Sequence, residues 1–298
     1  MDGVFIRART RWMEDGEKPS RYFLNMEKIN YVNKTICNII KESDDTVLKD
    51  SNSILLETRH FYEKLYKKQE IDDTVDLKTI FDQSDMPILS ENQKNEIEGP
   101  ITYDELKNAL KNSKNDKSPG SDRFSYEFYI KKKEEISWFL LRSINDSYKK
   151  GTLSITQRYG IITLLPKGNK PRQFLKNWRP ISLLNVSYKI VSSCIAERIK
   201  STLSTLIHEN QKGFISGRYI GENIRLMYDL IHLTEKEQIP GMLLSIVFEK
   251  AFDSVSHTFL KQILKLYNFG PSIQKWIKIC YNHANASILV NGFFIRDF

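Results

Sequence analysis

The stretch that decides the fold reads Gly160-Ile-Ile-Thr-Leu-Leu-Pro166, followed after a turn-rich segment by Pro180-Ile-Ser-Leu-Leu184. Both runs are short and apolar, and Gly, Pro or charged residues bound them, which is typical of β-strands. The segment between them is rich in Lys and Arg. The sequence therefore predicts two strands joined in a hairpin with a basic tip.

Further strands are predicted on the carboxyl-terminal side of this hairpin. The run Gly241-Met-Leu-Leu-Ser-Ile-Val-Phe248 is almost continuously apolar, which indicates a buried strand. The segment 287–295 contains Asn291-Gly292, a dipeptide that strongly favours a two-residue hairpin turn. An isolated two-stranded ribbon is marginally stable, so this second hairpin needs a sheet to lie on.

Helical signals occupy much of the remaining chain. Apolar residues recur every three or four positions over residues 54–68 and again over 136–148. Thr102 and Glu105 form a capping box that starts a helix near residue 102. Gly151 ends the separate helix over residues 136–148. Further helices are predicted at residues 186–203, 224–231, 259–266 and 273–280. The predicted fold class is α+β, rich in helix, with the strands concentrated after residue 158.

Charge is concentrated in one part of the 298-residue chain. The whole chain has a formal net charge of +8, and residues 158–200, with nine bases and one acid, account for all of it. A localised cationic surface suits a polyanion, with nucleic acid the first candidate and an acidic membrane face the second. A solvated basic loop is the third interpretation. The longest apolar runs fall far short of the ~20 residues that a membrane-spanning helix needs, so no membrane span is expected.

Several classes of site are disfavoured by the sequence. The three cysteines, at positions 37, 194 and 280, are far apart and form no CxxC pair, so neither a disulfide framework nor a zinc site is expected. The five histidines are isolated, and there is no HExxH, GxGxxG or GxxxxGK[ST] motif. We see no secretion signal and expect an intracellular protein, cytoplasmic or nuclear.

Several short motifs follow one another in a recognisable order. They are Lys117-Ser-Pro-Gly-Ser-Asp122, Asn177-Trp-Arg-Pro-Ile-Ser-Leu-Leu184, Gly213-Phe-Ile-Ser-Gly-Arg218 and Phe248-Glu-Lys-Ala-Phe-Asp253, preceded by two basic, aromatic stretches within residues 5–23. Together they resemble the reverse transcriptase of non-LTR, LINE-type retrotransposons, an RNA-directed DNA polymerase. Each motif alone is weak, but their order over nearly the whole chain makes the resemblance specific.

The resemblance implies a right-hand polymerase fold. Residues 1–98 correspond to a mostly helical N-terminal linker or extension, 99–240 to a fingers-like region and 241–298 to an incomplete palm. Lys167 and Arg179 then match the cations that hold the nucleotide triphosphate, a role that needs fixed charge because the leaving pyrophosphate gains charge in the transition state. The alternatives are an exposed turn lysine for Lys167 and stacking of Arg179 on the neighbouring indole of Trp178.

The resemblance also assigns residues to sugar selection and to nucleic-acid binding. Phe252 matches the bulky ring that excludes a ribose 2′-hydroxyl, with plain core packing as its alternative. The nucleic-acid-binding candidates are Lys170, Arg172, Lys176, Lys212 and Arg218. For the last two, the alternative is an ordinary turn before the helix at residue 222. The implied partners are RNA or an RNA/DNA template-primer and, in the intact family, deoxynucleoside triphosphates.

The sequence departs from the family at the catalytic centre. Val247 stands where the family has its first catalytic aspartate, and Asp253 lies six positions further on. Magnesium needs oxygen ligands, and valine offers none. The family's paired aspartates belong to a segment that this chain does not contain, so we expect no bound metal or cofactor here, although the intact family uses Mg²⁺. At position 123 an arginine replaces the family's usual glycine.

These departures leave three interpretations open. The chain is expected to be a truncated, catalytically inactive fragment of a reverse transcriptase, whose missing polymerase segment could belong to a longer product. It could instead be a non-catalytic remnant that binds RNA or DNA independently of sequence. A decayed element without function is the third interpretation.

Overall fold

The structure, a computed structural model, describes residues 35–66, 86–248 and 250–295. The linker-like stretches within residues 5–23 lie outside the described residues. Contacts divide the chain into two compact units, which are described separately. The first comprises the described parts of Met1–Lys67, Tyr159–Leu184 and Asn285–Phe298, and the second those of Lys68–Arg158 and Asn185–Ala284. Because the units interleave along the chain, they do not test the predicted boundaries at residues 98 and 240 between the N-terminal extension, the fingers-like region and the palm. Those boundaries stay a prediction.

The first unit is built on a four-stranded sheet. A short ladder of β1 (Ile39–Ile40) and β2 (Val47–Leu48) precedes helix α1 (Ser51–Tyr66). The sheet strands are β3 (Tyr159–Pro166), β4 (Trp178–Leu184), β5 (Asn285–Val290) and β6 (Phe293–Ile295), in the order β4-β3-β5-β6. Strands β3 and β5 are parallel, whereas β3–β4 and β5–β6 are antiparallel.

Both predicted hairpins are confirmed. In β3–β4, Leu165 lies opposite Arg179, and Pro166 opposite Trp178 is the last pair before the turn. In β5–β6, Asn291 and Gly292 have φ angles of 52° and 89°, the pair of positive values that a type I′ turn requires. This second hairpin lies on β3, which supplies the sheet that an isolated ribbon would lack. The Asn291 side chain also exchanges two hydrogen bonds, at 2.8 and 2.9 Å, with the backbone of Ile36.

One face of this sheet forms the core of the first unit. Side chains of β3 alternate between buried and more exposed positions over residues 159–164, as strand geometry dictates, and β4 and β5 add the buried residues Trp178, Ile288 and Val290. Those on the buried face pack with α1 and the segment before β1. The buried set comprises Ile36, Ile39, Ile54, Tyr62, Ile162, Leu164, Leu175, Trp178, Ile288 and Val290.

The described part of the second unit is helical. Its helices are α2 (Glu91–Glu96), α3 (Tyr103–Lys111), α4 (Tyr126–Lys131), α5 (Lys133–Lys150), α6 (Ile155–Arg158), α7 (Val186–Leu206), α8 (Gly221–Lys236), α9 (His257–Leu266) and α10 (Pro271–Tyr281). Thr102 caps α3 and forms the predicted capping box with Glu105. Gly151 ends α5 in the left-handed conformation, with φ at 76°. The α+β fold class is thus confirmed.

Helices α3, α5, α7 and α10 enclose the main core of the second unit. Leu106, Ile144, Ile190 and Trp276 are completely or almost completely buried within it. Burying side chains of this size contributes about 1.5–3 kcal/mol each relative to leaving them exposed. A second cluster, centred on Ile273, joins α9 and α10 to the segment around α2.

The prediction of a buried strand at residues 241–248 is wrong. Every residue of this run is exposed, and it is not part of any strand in the described chain. The apolar composition suits a strand, but a strand also needs a neighbour to accept its backbone hydrogen bonds, and none pairs with this run among the described residues. Helix α8 likewise buries no residue. No described helix combines the length and the apolar character needed to cross a membrane.

Candidate nucleic-acid interface

The basic tip of the β3–β4 hairpin, residues 167–177, is an ordered loop. The Lys167 backbone N–H donates to the carbonyl oxygen of Asn177 at 2.8 Å, and its ammonium Nζ donates to the Lys176 carbonyl oxygen at 2.6 Å. The Asn177 side chain donates to the Pro171 carbonyl oxygen at 2.8 Å. Lys167 is therefore half-buried and bridges the two arms of the hairpin, which differs from a freely exposed turn lysine.

Buried side chains hold this tip against the rest of the first unit. Trp178 is almost fully buried, and its indole Nε1 donates to the Arg172 carbonyl oxygen at 2.8 Å. Leu175 is buried beside it in a short 3-10 turn. The Ile40 N–H also donates to the Gln173 carbonyl oxygen at 2.8 Å. The loop can therefore present its charges from a fixed backbone.

The cations of the hairpin face solvent without acidic neighbours in the hairpin sequence. Residues 159–184 contain five bases and no acid. The exposed ones are Lys170, Arg172, Lys176 and Arg179. Lys176 also lies over the Phe174 ring, with its Nζ 5.3 Å from the ring centroid. A concentration of like charge on a folded surface raises the local potential and attracts polyanions.

Arg179 is one of the hairpin cations available to bind a ligand. Its guanidinium makes no hydrogen bond or ion pair within the described residues, and it is exposed on β4. Trp178, the next residue along the strand, is buried, so the two side chains leave the strand on opposite faces. The alternative of Arg179 stacking on the Trp178 indole is therefore not what the structure contains.

The loop between α7 and α8 uses its two cations inside the second unit. Arg218 donates to four carbonyl oxygens at 2.6–3.2 Å, those of Ser204, Ile207, His208 and Gln211. This places a guanidinium at the carboxyl end of α7, where the helix dipole favours positive charge. Lys212 forms an ion pair with Glu222. Phosphate binding by Lys212 and Arg218 stays a prediction, and the structure gives both cations a local role.

The residues of the catalytic motif are exposed. The Val247 side chain is 89% exposed and Phe252 is 85% exposed, so Phe252 does not serve core packing within the second unit. The motif's first ligand position thus carries a hydrocarbon side chain, and the residue present there does not fit a magnesium ion. Within residues 35–66, 86–248 and 250–295, no group of three or more His, Cys, Asp or Glu side chains could hold a metal.

The turn at residues 117–122 is docked on the start of α7. The side-chain oxygen Oδ1 of Asn185 accepts hydrogen bonds from the Asp122 N–H and the Ser121 hydroxyl, both at 3.3 Å, and Lys189 Nζ donates to the Ser118 carbonyl oxygen at 3.1 Å. Burial lowers the pKa of Lys189, and the nearby Asp122 carboxylate partly offsets this effect. Asn185 and Lys189 are positioning residues that sequence motifs alone did not single out.

Arg123, the departure from glycine, has a φ of 63°. This is the left-handed region, which is unfavourable for residues with a Cβ atom and readily adopted by glycine. A glycine would suit this conformation better, and Arg123 adopts it at a cost in strain. Asp122 accepts a hydrogen bond from the Phe124 N–H at 3.1 Å, which closes the turn locally.

Comparison with known proteins agrees with these features. A family model described as "Reverse transcriptase (RNA-dependent DNA polymerase)" matches residues 165–296. The chain is 35% identical over 294 residues, 97% of its length, to the "Transposon TX1 uncharacterized 149 kDa protein" of Xenopus laevis. It is 27% identical over 215 residues, 70% of its length, to the "Probable RNA-directed DNA polymerase from transposon X-element" of Drosophila melanogaster.

A third relative extends the same pattern. The chain is 23% identical over 184 residues, 61% of its length, to the "Retrovirus-related Pol polyprotein from type-2 retrotransposable element R2DM" of Drosophila melanogaster. The matches span only 22%, 22% and 17% of the three relatives' own lengths. With its ordered motifs and its basic hairpin, the chain belongs to the reverse transcriptases of non-LTR, LINE-type retrotransposons.

Proposed function

We propose that this chain provides the nucleic-acid-binding fingers of an RNA-directed DNA polymerase, and that it binds RNA or a template-primer duplex without polymerising. The observation that carries the proposal is the β3–β4 hairpin, which has five bases and no acids, four of the bases on the ordered loop at residues 167–177 and Arg179 on β4. Its Lys and Arg side chains suit phosphate oxygens, which are common to every nucleic-acid sequence. Binding is therefore expected to be independent of sequence.

The hairpin cations also suit a triphosphate. Arg179 offers a planar guanidinium with no internal partner in the described chain, which fits bidentate contact with phosphate oxygens. Lys167 is held by the Lys176 carbonyl oxygen and would supply a point charge from a fixed position. In the longer polymerase we assign these two residues to the nucleotide's phosphates and Phe252 to the sugar.

The proposed lack of polymerase activity follows from position 247. Nucleotide addition in this family depends on carboxylates that hold divalent metal ions, and the residue at the first of these positions is Val247. Asp253 follows six positions later in a turn, where its N–H donates to the Lys250 carbonyl oxygen at 2.9 Å. We derive no metal-dependent step for this chain, because the side chain at the motif position cannot coordinate a metal.

The binding proposal is tested with a fluorescently labelled RNA and the purified chain at several salt concentrations. Neutralising about five phosphates predicts that log affinity falls against log salt with a slope of about −3.5 for a single strand or about −4.5 for a duplex. Replacing Lys170, Arg172, Lys176 and Arg179 with alanine should weaken binding to all sequences alike and reduce this slope to about −0.7 for a single strand or about −0.9 for a duplex, because one cation remains. An affinity that does not change with salt would contradict the proposal.

A matched control separates the hairpin from overall charge. The variant that replaces the exposed residues Lys111, Lys114, Lys149 and Lys150 with alanine loses the same four charges from the second unit. It should keep most of the affinity and the salt slope. Equal weakening by both variants would show that general charge, and not the hairpin, binds the nucleic acid.

The second part of the proposal is tested by primer extension. The purified chain is incubated with an RNA template, an annealed DNA primer, deoxynucleotides and either Mg²⁺ or Mn²⁺. The expected result is no incorporation above that of a mock purification. Extension that copurifies with the chain would overturn the proposed inactivity, while leaving the salt-dependent binding to be judged by its own measurement.

A further inference from the structure

Helix α8 carries apolar residues on two sides and buries none of them. Its exposed apolar residues, which the helical repeat divides between these two sides, are Ile224, Leu226, Tyr228, Leu230, Ile231 and Leu233. A helix that is apolar on more than one side is normally surrounded by other elements. The sequence of α8 therefore suits a packed environment that the described chain does not provide.

The exposed run at residues 241–248 follows α8 and has an unpaired backbone. No N–H or carbonyl group of this run makes a backbone hydrogen bond to another residue that the structure describes. All eight residues have negative φ angles, which are compatible with an extended strand. Exposed backbone groups beside apolar side chains are a ready template for pairing with another chain.

Helix α8 and residues 241–248, here called the apolar surface, together offer enough area for a stable interface. Twelve of their apolar side chains are 39–90% exposed. Side chains of this kind each remove roughly 60–120 Å² of apolar area from water when fully buried, so the exposed fractions amount to roughly 500–900 Å². A standard interface buries about 800 Å² on each partner, of which somewhat more than half is apolar. A partner that covers most of the apolar surface would therefore be held stably.

The charge of the apolar surface indicates which partner it suits. Helix α8 carries three acids and two bases, and residues 238–248 carry no charge. Neither nucleic acid nor an acidic membrane face is attracted to such a surface. A strongly charged protein finds no complementary potential on it. Because the surface is close to neutral, two copies of it do not repel each other when they meet.

We propose that a second copy of this chain covers the apolar surface, so that the chain forms a symmetric dimer through α8 and residues 241–248. Two copies of one extended run can pair antiparallel about a twofold axis, which supplies hydrogen-bond partners to the backbone groups that point toward the axis. The same axis joins the apolar side chains of both copies. This inference concerns association of the chain and does not depend on the proposed nucleic-acid binding.

The test measures the mass of the purified chain by sedimentation over a range of concentrations, after nuclease treatment and at high salt. High salt screens contacts between exposed charges, so association through nucleic acid or surface charge is suppressed. The expected result is an equilibrium between the 34.9 kDa monomer and a species of twice that mass. The variant that lacks the four hairpin cations should dimerise like the wild type, which keeps this test separate from that of the proposed function.

Two variants test the side chains and the backbone of the run. Leu243→Lys combined with Leu244→Lys places a charge on each side of an extended strand. Ser245→Pro combined with Ile246→Pro removes two neighbouring N–H groups, which point to opposite edges of a strand, so one pairing donor is lost in any register. These residues are exposed in the monomer, so its fold should be retained. Each variant should raise the dissociation constant of the dimer at least about tenfold.

The matched control is Phe139→Lys combined with Ile155→Lys. These side chains are 75% and 76% exposed elsewhere in the second unit, and their replacement adds the same charge. The control should dimerise like the wild type, and circular dichroism checks that each variant is folded. A wild-type chain that stays monomeric, or that forms a broad distribution of larger species, overturns the proposal. A dimer that both variants leave intact, or that the control weakens equally, also overturns it.

Discussion

Replacing Arg198 with alanine should destabilise the second unit by about 3–5 kcal/mol, the range for removing one partner of a buried ion pair. The guanidinium is only 8% exposed. It contacts both carboxylate oxygens of Glu105 and donates to the carbonyl oxygens of Ile97, Gly99 and Pro100 at 3.1, 2.8 and 2.7 Å. One side chain thus ties α7 to the segment that leads into α3.

The magnitude follows from the groups that alanine would leave behind. An unsatisfied buried polar group costs about 1–3 kcal/mol, and four acceptor groups would each lose a hydrogen bond, although the Gly99 carbonyl oxygen keeps the one from Trp276 Nε1. The total loss stays below the sum of these four penalties. The Glu105 side chain is 28% exposed and keeps two hydrogen bonds from Thr102, so water can replace part of the lost contact. A loss of 3–5 kcal/mol is a large share of a typical unfolding free energy of about 5–15 kcal/mol.

The assay is denaturant unfolding followed by tryptophan fluorescence. Trp276 is buried in the same unit, and its Nε1 donates to the Gly99 carbonyl oxygen at 3.2 Å, so it reports on this region. The control is Lys200→Ala, which removes an exposed cation paired with Glu197 and should cost less than about 1 kcal/mol. A double-mutant cycle with Glu105→Gln should give a coupling energy of at least about 1 kcal/mol. The reasoning fails if Arg198→Ala costs no more than Lys200→Ala.

The same contact makes stability depend on pH. Burial alone would raise the pKa of Glu105, but hydrogen bonds from Arg198 and Thr102 outweigh it and hold the pKa below its usual range. This contribution is fully present above the unfolded-state pKa of about 4.3 and is lost as the pH falls through the lower folded-state pKa. In Arg198→Ala the part of this lowering that Arg198 causes is lost, so the stability of that variant should fall less steeply than that of the wild type as the pH decreases. Unfolding free energies measured from pH 3 to 6 check this sign.

Two further predictions concern the strained turn and the thiols. Arg123→Gly should raise the free energy of unfolding by about 0.5–1 kcal/mol, because glycine adopts the left-handed conformation without strain. The control Arg142→Gly, in the interior of α5, should lower it by about 1 kcal/mol in the same unfolding assay. Cys37 is exposed and should react rapidly with a thiol reagent at neutral pH. Burial raises the pKa of both Cys194 and Cys280 to about 12, so these two thiols should react only on unfolding. Rapid reaction of all three thiols in the native chain would refute this prediction.

The elements that sequence predicted correctly are those with local signals. The capping box of Thr102 and Glu105, the terminating Gly151 and the turn at Asn291 and Gly292 each act within a few residues. A helix cap or a hairpin turn is chosen by the hydrogen bonds and φ angles available at that point, so neighbouring residues suffice to predict it.

The features that sequence missed depend on distant residues. The parallel pairing of β3 with β5 aligns Gly160 with Ala286, and nothing local to either strand specifies that register. Arg198 was counted with the cationic surface, but its charge is neutralised internally by Glu105. The Arg218 guanidinium likewise donates its hydrogen bonds to backbone carbonyl oxygens. Net charge per segment therefore overstated the cationic surface, most of which lies on the β3–β4 hairpin.

Position 247 shows how the requirements of a fold and of its chemistry separate. A β-branched valine suits an extended apolar run at least as well as an aspartate would, so periodicity and composition raise no objection to it. The chemistry changes completely, because a carboxylate coordinates a metal and an isopropyl group cannot. Family membership rests on many weak motifs that tolerate such a change, whereas nucleotide addition depends on individual oxygen donors. For that reason, resemblance supports the fold of this chain more strongly than it supports catalysis.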